Sequence, residues 1–209
     1  MKKIFLFLIF TLVFSCSTKE IEKTAQELVT DGTKAYNEEE FKQSIASFKK
    51  LKDWYPFSKH VIVAERRIAD ANFMLENYRE AILSYEEFEK LHPKNELIPY
   101  IIYQKGLCHF FQIDTIDRDQ RNAASALKIF NRLLKEYPKG EYAEKASKKR
   151  QKCLNSLAGH EFYVGVFYYK SKHYKGAIKR FEFLMNTYPD TEYKAKAEHY
   201  IKLCQKNMK

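Results

Sequence analysis

Residues 177–189 read Ala-Ile-Lys-Arg-Phe-Glu-Phe-Leu-Met-Asn-Thr-Tyr-Pro, and this stretch decides the fold because its pattern occurs four times in the chain. Ala177, Phe181 and Leu184 are separated by steps of four and three, which places them on one face of a helix. The same ladder recurs as Ser44, Phe48 and Leu51, as Ala81, Tyr85 and Phe88, and as Ala126, Phe130 and Leu133. In every copy a proline follows the third residue by five positions, at Pro56, Pro93, Pro138 and Pro189. The residue before it is Tyr55, His92, Tyr137 or Tyr188. A small residue lets a second helix approach, the aromatic fills the gap, and proline stops the helix because it lacks an N–H and clashes with the preceding turn. A unit copied four times buries its apolar face only by stacking on its neighbours, so the chain is an array.

Small residue, aromatic, aliphatic or aromatic, then proline at these spacings resembles the second helix of the tetratricopeptide repeat. That resemblance implies an all-α solenoid of helix pairs, an architecture that binds peptides and protein domains. Six Gly and five Pro in 209 residues leave little turn material, which also implies long helices. No segment alternates as a strand would. Helices are expected over residues 21–36, 41–54, 58–76, 78–91, from Pro99 onward, before Pro138, and over 174–188 and 192–207. The prolines are 37, 45 and 51 positions apart, and the two surpluses are informative. The first, of eight residues, falls around residues 114–120 and lengthens a loop between paired helices. The second, of 14, lies before Gly165. Fourteen residues are close to four turns at about 3.6 per turn, so a helix absorbs them without rotating its buried face. One long helix over residues 142–171 is therefore expected, about nine helices in all. The repeats then fall near residues 21–57, 58–94, 98–138 and 142–190, with residues 192–207 as a capping helix.

The N-terminus carries an address. Lys2 and Lys3 precede an apolar run over residues 4–14, interrupted only by Thr11. Eleven residues are too few to span a bilayer, which takes about 20, so residues 1–15 read as a secretory signal peptide. Val13, Phe14, Ser15 and Cys16 then resemble the lipobox of bacterial lipoproteins, in which cysteine is acylated and becomes the first mature residue. Residues 16–20 form the lipidated tether, and several acyl chains anchor stably where one alone does not. Ser17, in place of an aspartate that would retain the protein at the inner membrane, directs it to the outer membrane. Losing Lys2 and Lys3 lowers the formal net charge from +10 by two, to +8. For an exported chain this excess fits acidic protein or lipid headgroups and excludes nucleic acid. Cys108, Cys153 and Cys204 each sit among apolar residues at helical spacing and read as buried small hydrophobes.

More specific strings identify the array. They are Tyr55-Pro56-Phe57, Pro99-Tyr100 with Tyr103, Gly106 and Leu107, Asp117-Arg118-Asp119, Leu157-Ala158 with Glu161 and Val164, Phe167-Tyr168-Tyr169, and Tyr188-Pro189-Asp190-Thr191. In this order, and with the lipobox and both length anomalies, the chain resembles the BamD family, lipoproteins of the outer-membrane β-barrel assembly machine. The resemblance covers almost the whole mature chain. It implies a protein held by acyl chains at the periplasmic face of the outer membrane, with no cofactor beyond the covalent lipid on Cys16. It further implies docking on the POTRA domains of BamA, association with other lipoproteins of the complex, and reception of unfolded barrel proteins through their C-terminal strand. By position, Arg180 matches a family residue at the BamA contact and Tyr55 a position implicated in client recognition. The family adds a partner helix after the last one here, so the final helix is expected to serve as a cap.

Each of these residues also has a plainer role. Arg180 can be a solvated charge beside the core aromatic Phe181, and Tyr55 can pack the bend between repeats as its counterparts do. Asp117, Arg118 and Asp119 lack the Gly and closing Glu of a calcium loop. They are expected to be structural, an aspartate capping the next helix and Arg118 tying adjacent repeats by ion pairs. Six histidines show no metal spacing, and no phosphate loop or nucleophile motif is present, so a non-enzymatic adaptor is expected. The alternatives are another tetratricopeptide lipoprotein, such as a secretin pilotin or a cell-envelope coordinator, or a repeat-regulated enzyme, for which no unassigned stretch remains. Gly159 and Gly165, unfavourable within a helix, point to close packing.

Overall fold

In the computed structural model, which describes residues 22–208, the chain is a succession of helices and turns. Nine helices are found among the described residues: α1 (Ala25–Asn37), α2 (Phe41–Trp54), α3 (Val61–Met74), α4 (Tyr78–Leu91), α5 (Ile98–Phe110), α6 (Arg121–Glu136), α7 (Glu141–Lys170), α8 (Tyr174–Thr187) and α9 (Tyr193–Asn207). The all-α solenoid expected from the repeat is the fold observed. Cys16 and the segment before it lie outside the described residues.

Two helices are shorter than the periodicity predicts, and local chemistry explains both. α1 begins at Ala25 because Thr24 and Glu27 form a capping box: the Thr24 N–H donates to Glu27 Oε2 at 2.8 Å, and the Glu27 N–H donates to Thr24 Oγ1 at 3.3 Å. α3 starts only at Val61 because residues 55–61 are spent on two consecutive turns, closed by Ser58 N–H to the Tyr55 carbonyl (2.9 Å) and Val61 N–H to the Ser58 carbonyl (3.0 Å). The long helix α7 matches its expectation to within a residue at each end.

The repeat signature has a direct physical counterpart. At each proline corner the residue before proline donates its N–H to the carbonyl four back, Tyr55 to Leu51, His92 to Phe88, Tyr137 to Leu133 and Tyr188 to Leu184, at 2.8–2.9 Å. The B-helix aromatics Phe48, Tyr85, Phe130 and Phe181 are wholly buried. Three of them press on a glycine of the paired A helix. A β-carbon at Gly32, Gly106 or Gly165 would lie 2.9, 2.5 or 2.5 Å from the ring of Phe48, Phe130 or Phe181, so only hydrogen fits there. Short A-to-B turns also share one device. Glu39, Glu76 and Lys172 adopt left-handed φ values of 61°, 59° and 60°. The next residue then bonds five back, Glu40 to Ala35, Asn77 to Asn72 and His173 to Tyr168, the six-to-one closure of a Schellman motif.

Consecutive helices pack pairwise, and α5 also touches α7 while α7 touches α9. No pair among the second helices α2, α4, α6 and α8 packs to a comparable extent. The two length anomalies pack together. Ile116, in the loop between α5 and α6, sits 2.8 Å from where a β-carbon of Gly159 would be. His160 Nδ1 donates to the Ile116 carbonyl at 2.7 Å, and Ser156 donates to Gln120 Oε1 at 2.7 Å. The extra turns of α7 are thus the platform for the extra loop. Cys108, Cys153 and Cys204 are free and buried, and burial pushes the first two thiols up to about 12.

Candidate partner-binding surfaces

One buried carboxylate organises the junction of α3, α4 and α5. Asp70 of α3 accepts hydrogen bonds from Tyr85 (2.9 Å) and Tyr100 (2.6 Å) on Oδ1, while Arg66 donates to Oδ2 at 3.0 Å. Gln104 donates to the Tyr100 hydroxyl at 3.0 Å, extending the chain along α5. Burial raises the Asp70 carboxyl above its usual range, against the opposing pull of the Tyr100 bond and the Arg66 charge. Two repeats, the second and the third, are coupled through it. The row continues in rings, Tyr100 against Tyr142 at 5.6 Å between centroids, and ends with Lys145 over Tyr142 at 5.6 Å. No sequence motif marked Asp70; the single available signal was Tyr85 standing where the other copies have Phe.

Between α2, α3 and α4 lies a hollow of about 270 Å³, lined by Lys49, Lys52, Glu65, Ile68, Glu87 and Phe88. Its buried acid, Glu65, faces Lys52 at 3.5 Å and His92 Nε2 at 2.6 Å. His92, the corner residue of the second repeat, therefore reaches back to α3.

Tyr55 is half-buried in the first repeat core with Leu51 and Val61. Its hydroxyl donates to the Lys23 carbonyl at 2.9 Å, tying the end of α2 to the chain that enters α1. The packing role is therefore occupied, and the ring edge is what remains to meet a partner. Two residues on, Phe57 is 100% exposed, a feature that residue identity alone did not reveal.

Arg180 projects from α8 with its side chain 46% exposed and donates to Glu161 of α7 at 3.1 Å. Glu161 is 16% exposed and lies on the extra turns of α7. An ion pair this open adds little to stability. It does hold the planar guanidinium in one orientation at the edge of the α7–α8 contact, where a second carboxylate could bind the remaining N–H groups.

In the loop after α5, Asp119 accepts the Arg121 N–H at 2.8 Å and pairs with its side chain, but the N-cap of α6 is Gln120, not an aspartate, and it makes no side-chain cap bond. Thr115 donates to Asp117 at 2.5 Å. Arg118 is exposed and forms no inter-repeat ion pair among the described residues. The loop is tied to α7 instead by Gln120, Ile116 and His160, while Arg118 is exposed. Among the described residues no group of three His, Cys, Asp or Glu is placed to hold a metal, and no helix is long and apolar enough to cross a membrane.

The family described as "Outer membrane lipoprotein" (YfiO) matches residues 21–209. The chain belongs to the YfiO family. Its relatives include the outer membrane protein assembly factor BamD of Vibrio cholerae, 27% identical over 195 residues, covering 87% of this chain and 81% of that protein. The BamD of Rickettsia prowazekii is 29% identical, covering 87% and 74% of the two chains, and that of Caulobacter vibrioides 27%, covering 84% and 58%. Among solved structures, the TPR2AB domain of yeast Sti1 in complex with pHSP90 has a TM-score of 0.50 at 13% identity, covering 88% of this chain and 70% of that one, a likeness of fold alone.

Proposed function

We propose that this YfiO-family protein is a non-enzymatic scaffold of outer-membrane protein assembly. It is anchored through acyl chains on Cys16 at the periplasmic face of the outer membrane. The solenoid docks on BamA POTRA domains through the α8 edge at Arg180, sits beside other lipoproteins of the complex, and receives unfolded barrel proteins near the Tyr55 corner. The observation that carries this proposal is the family match across the entire solenoid, residues 21–209, with relatives named as outer membrane protein assembly factors. A half-exposed Arg180 oriented by Glu161 supports the docking edge, because its free N–H groups suit a carboxylate on a folded partner.

Affinity purification from membranes with the anchor intact is expected to recover a POTRA-bearing barrel protein, and recovery of a secretin instead would overturn the assignment. Arg180→Glu is expected to leave helicity unchanged and to weaken binding to the BamA periplasmic region by about tenfold or more, equal to about 1.4 kcal/mol. Arg180→Ala controls for the like-charge contact that the first variant makes with Glu161. Unchanged affinity in both variants removes Arg180 from the interface.

A further inference from the structure

We infer that the first proline corner, Trp54 with Phe57, is a lipid contact that seats the solenoid against the membrane surface from which it hangs. This rests on the acyl anchor at Cys16 proposed above.

The corner is a tight turn in which Pro56 leads, the Ser58 N–H returns to the Tyr55 carbonyl at 2.9 Å, and Phe57 occupies the tip. Its ring lies fully in solvent. The same tip in the other three repeats carries Lys94, Lys139 and Asp190, all charged and all exposed. Among the described residues nothing covers the ring, so they give no folding reason for replacing a tip charge with phenylalanine. Trp54, the last residue of α2, adds a second ring that is 39% exposed.

The anchor says what lies opposite. The Tyr55 hydroxyl bonds to the Lys23 carbonyl, and Trp54 lines one hollow with Lys23, Leu28 and Lys50, so the corner stands where the chain enters the solenoid. Lys23 follows Cys16 by seven positions. Seven residues reach at most about 25 Å even fully extended, at roughly 3.3–3.6 Å each, so the corner is confined to the neighbourhood of the bilayer. Tryptophan and phenylalanine with flanking cations are the side chains that settle at a membrane–water boundary. Exposed Lys49 and Lys59 flank the corner, against the acids Asp53 and Glu22, and Lys50 lies 5.7 Å from the Trp54 ring centre.

Trp54 is the only tryptophan in the chain, so its fluorescence reports on this corner alone. The mature acylated protein is reconstituted into phosphatidylethanolamine vesicles containing phosphatidylglycerol, with and without lipids brominated near the headgroup. The expected result is emission shifted to shorter wavelength relative to a soluble Cys16→Ser form, with quenching by the brominated lipid. Phe57→Asp, which installs the residue type of the fourth corner, is expected to lose most of the shift and the quenching while its circular dichroism stays that of wild type. Mass spectrometry of the reconstituted protein checks the anchor separately: a Cys16 without acyl mass defeats the anchoring premise and with it this inference. An acylated protein whose Trp54 emission ignores the vesicles overturns the lipid contact and leaves the anchor standing. Shielding of Trp54 from iodide by a barrel-derived C-terminal peptide without vesicles, paired with no brominated-lipid quenching, also overturns it and assigns the corner to clients.

Discussion

Asp70 is a carboxylate placed where only neighbours can solvate it. Two tyrosine hydroxyls and Arg66 supply its hydrogen bonds, and burial still shifts it upward from its ordinary 3.8. An acid with a raised folded-state value contributes stability that is complete below its unfolded value and is lost as pH rises through the folded one. The stability of wild type relative to Asp70→Asn is therefore expected to fall with rising pH in the interval just above 3.8, and then to level off. Thermal unfolding of both forms across that interval checks it, and a pH-independent difference would mean the carboxyl is not desolvated. Arg180 and Tyr55 were recognisable from the sequence by family position. Their packing partners were not, because Glu161 and Lys23 approach them only through helix pairing and a turn.

At the scale of elements, the A-to-B turns carry strain that the sequence does not advertise. Glu39, Glu76 and Lys172 occupy the left-handed position at which glycine is usual, and each costs roughly 1 kcal/mol or more relative to glycine's freedom there. Glu76→Gly should stabilise the protein by about 0.5 kcal/mol, the relief of strain outweighing the greater entropy of the unfolded chain. A chemical-denaturation midpoint that fails to rise would show that the Glu76 side chain contributes more than its backbone strain subtracts. The proline corners, in contrast, were legible from composition, since Pro fixes where a helix must stop. The loop after α5 was half legible. Its length and its Asp119 contact to α6 followed from spacing and chemistry, but its docking on α7 through Ile116 and His160 depends on two insertions 40 residues apart meeting in space.

For the whole molecule, stability is close to a sum of repeats and their interfaces, so an end is weak unless capped. α9 packs on the last repeat. Ala197 and Cys204 are buried in the last cluster, with Tyr200 and Ile201 packed against Phe181, while Lys194, Glu198, Lys202, Gln205 and Lys206 face solvent. Removing residues 192–209 strips at least two large apolar side chains from that cluster, at about 1.5–3 kcal/mol each. The truncated chain is expected to unfold at lower denaturant concentration and to self-associate, as measured by equilibrium unfolding and light scattering. Retained stability would mean that α8 closes the array by itself.

The sequence by itself determined the repeat, the helix stops and the length of α7, because those depend on periodicity and on local backbone chemistry. It also marked Gly159 and Gly165 as sites of close approach, since glycine within a helix calls for a packing reason. Only the tertiary structure decided that Asp70 joins α3, α4 and α5, that the α5–α6 loop rests on the extra turns of α7, and that Phe57 is left bare. Those are properties of distance between segments far apart in the chain, and solvent exposure is defined only once every neighbour has been placed.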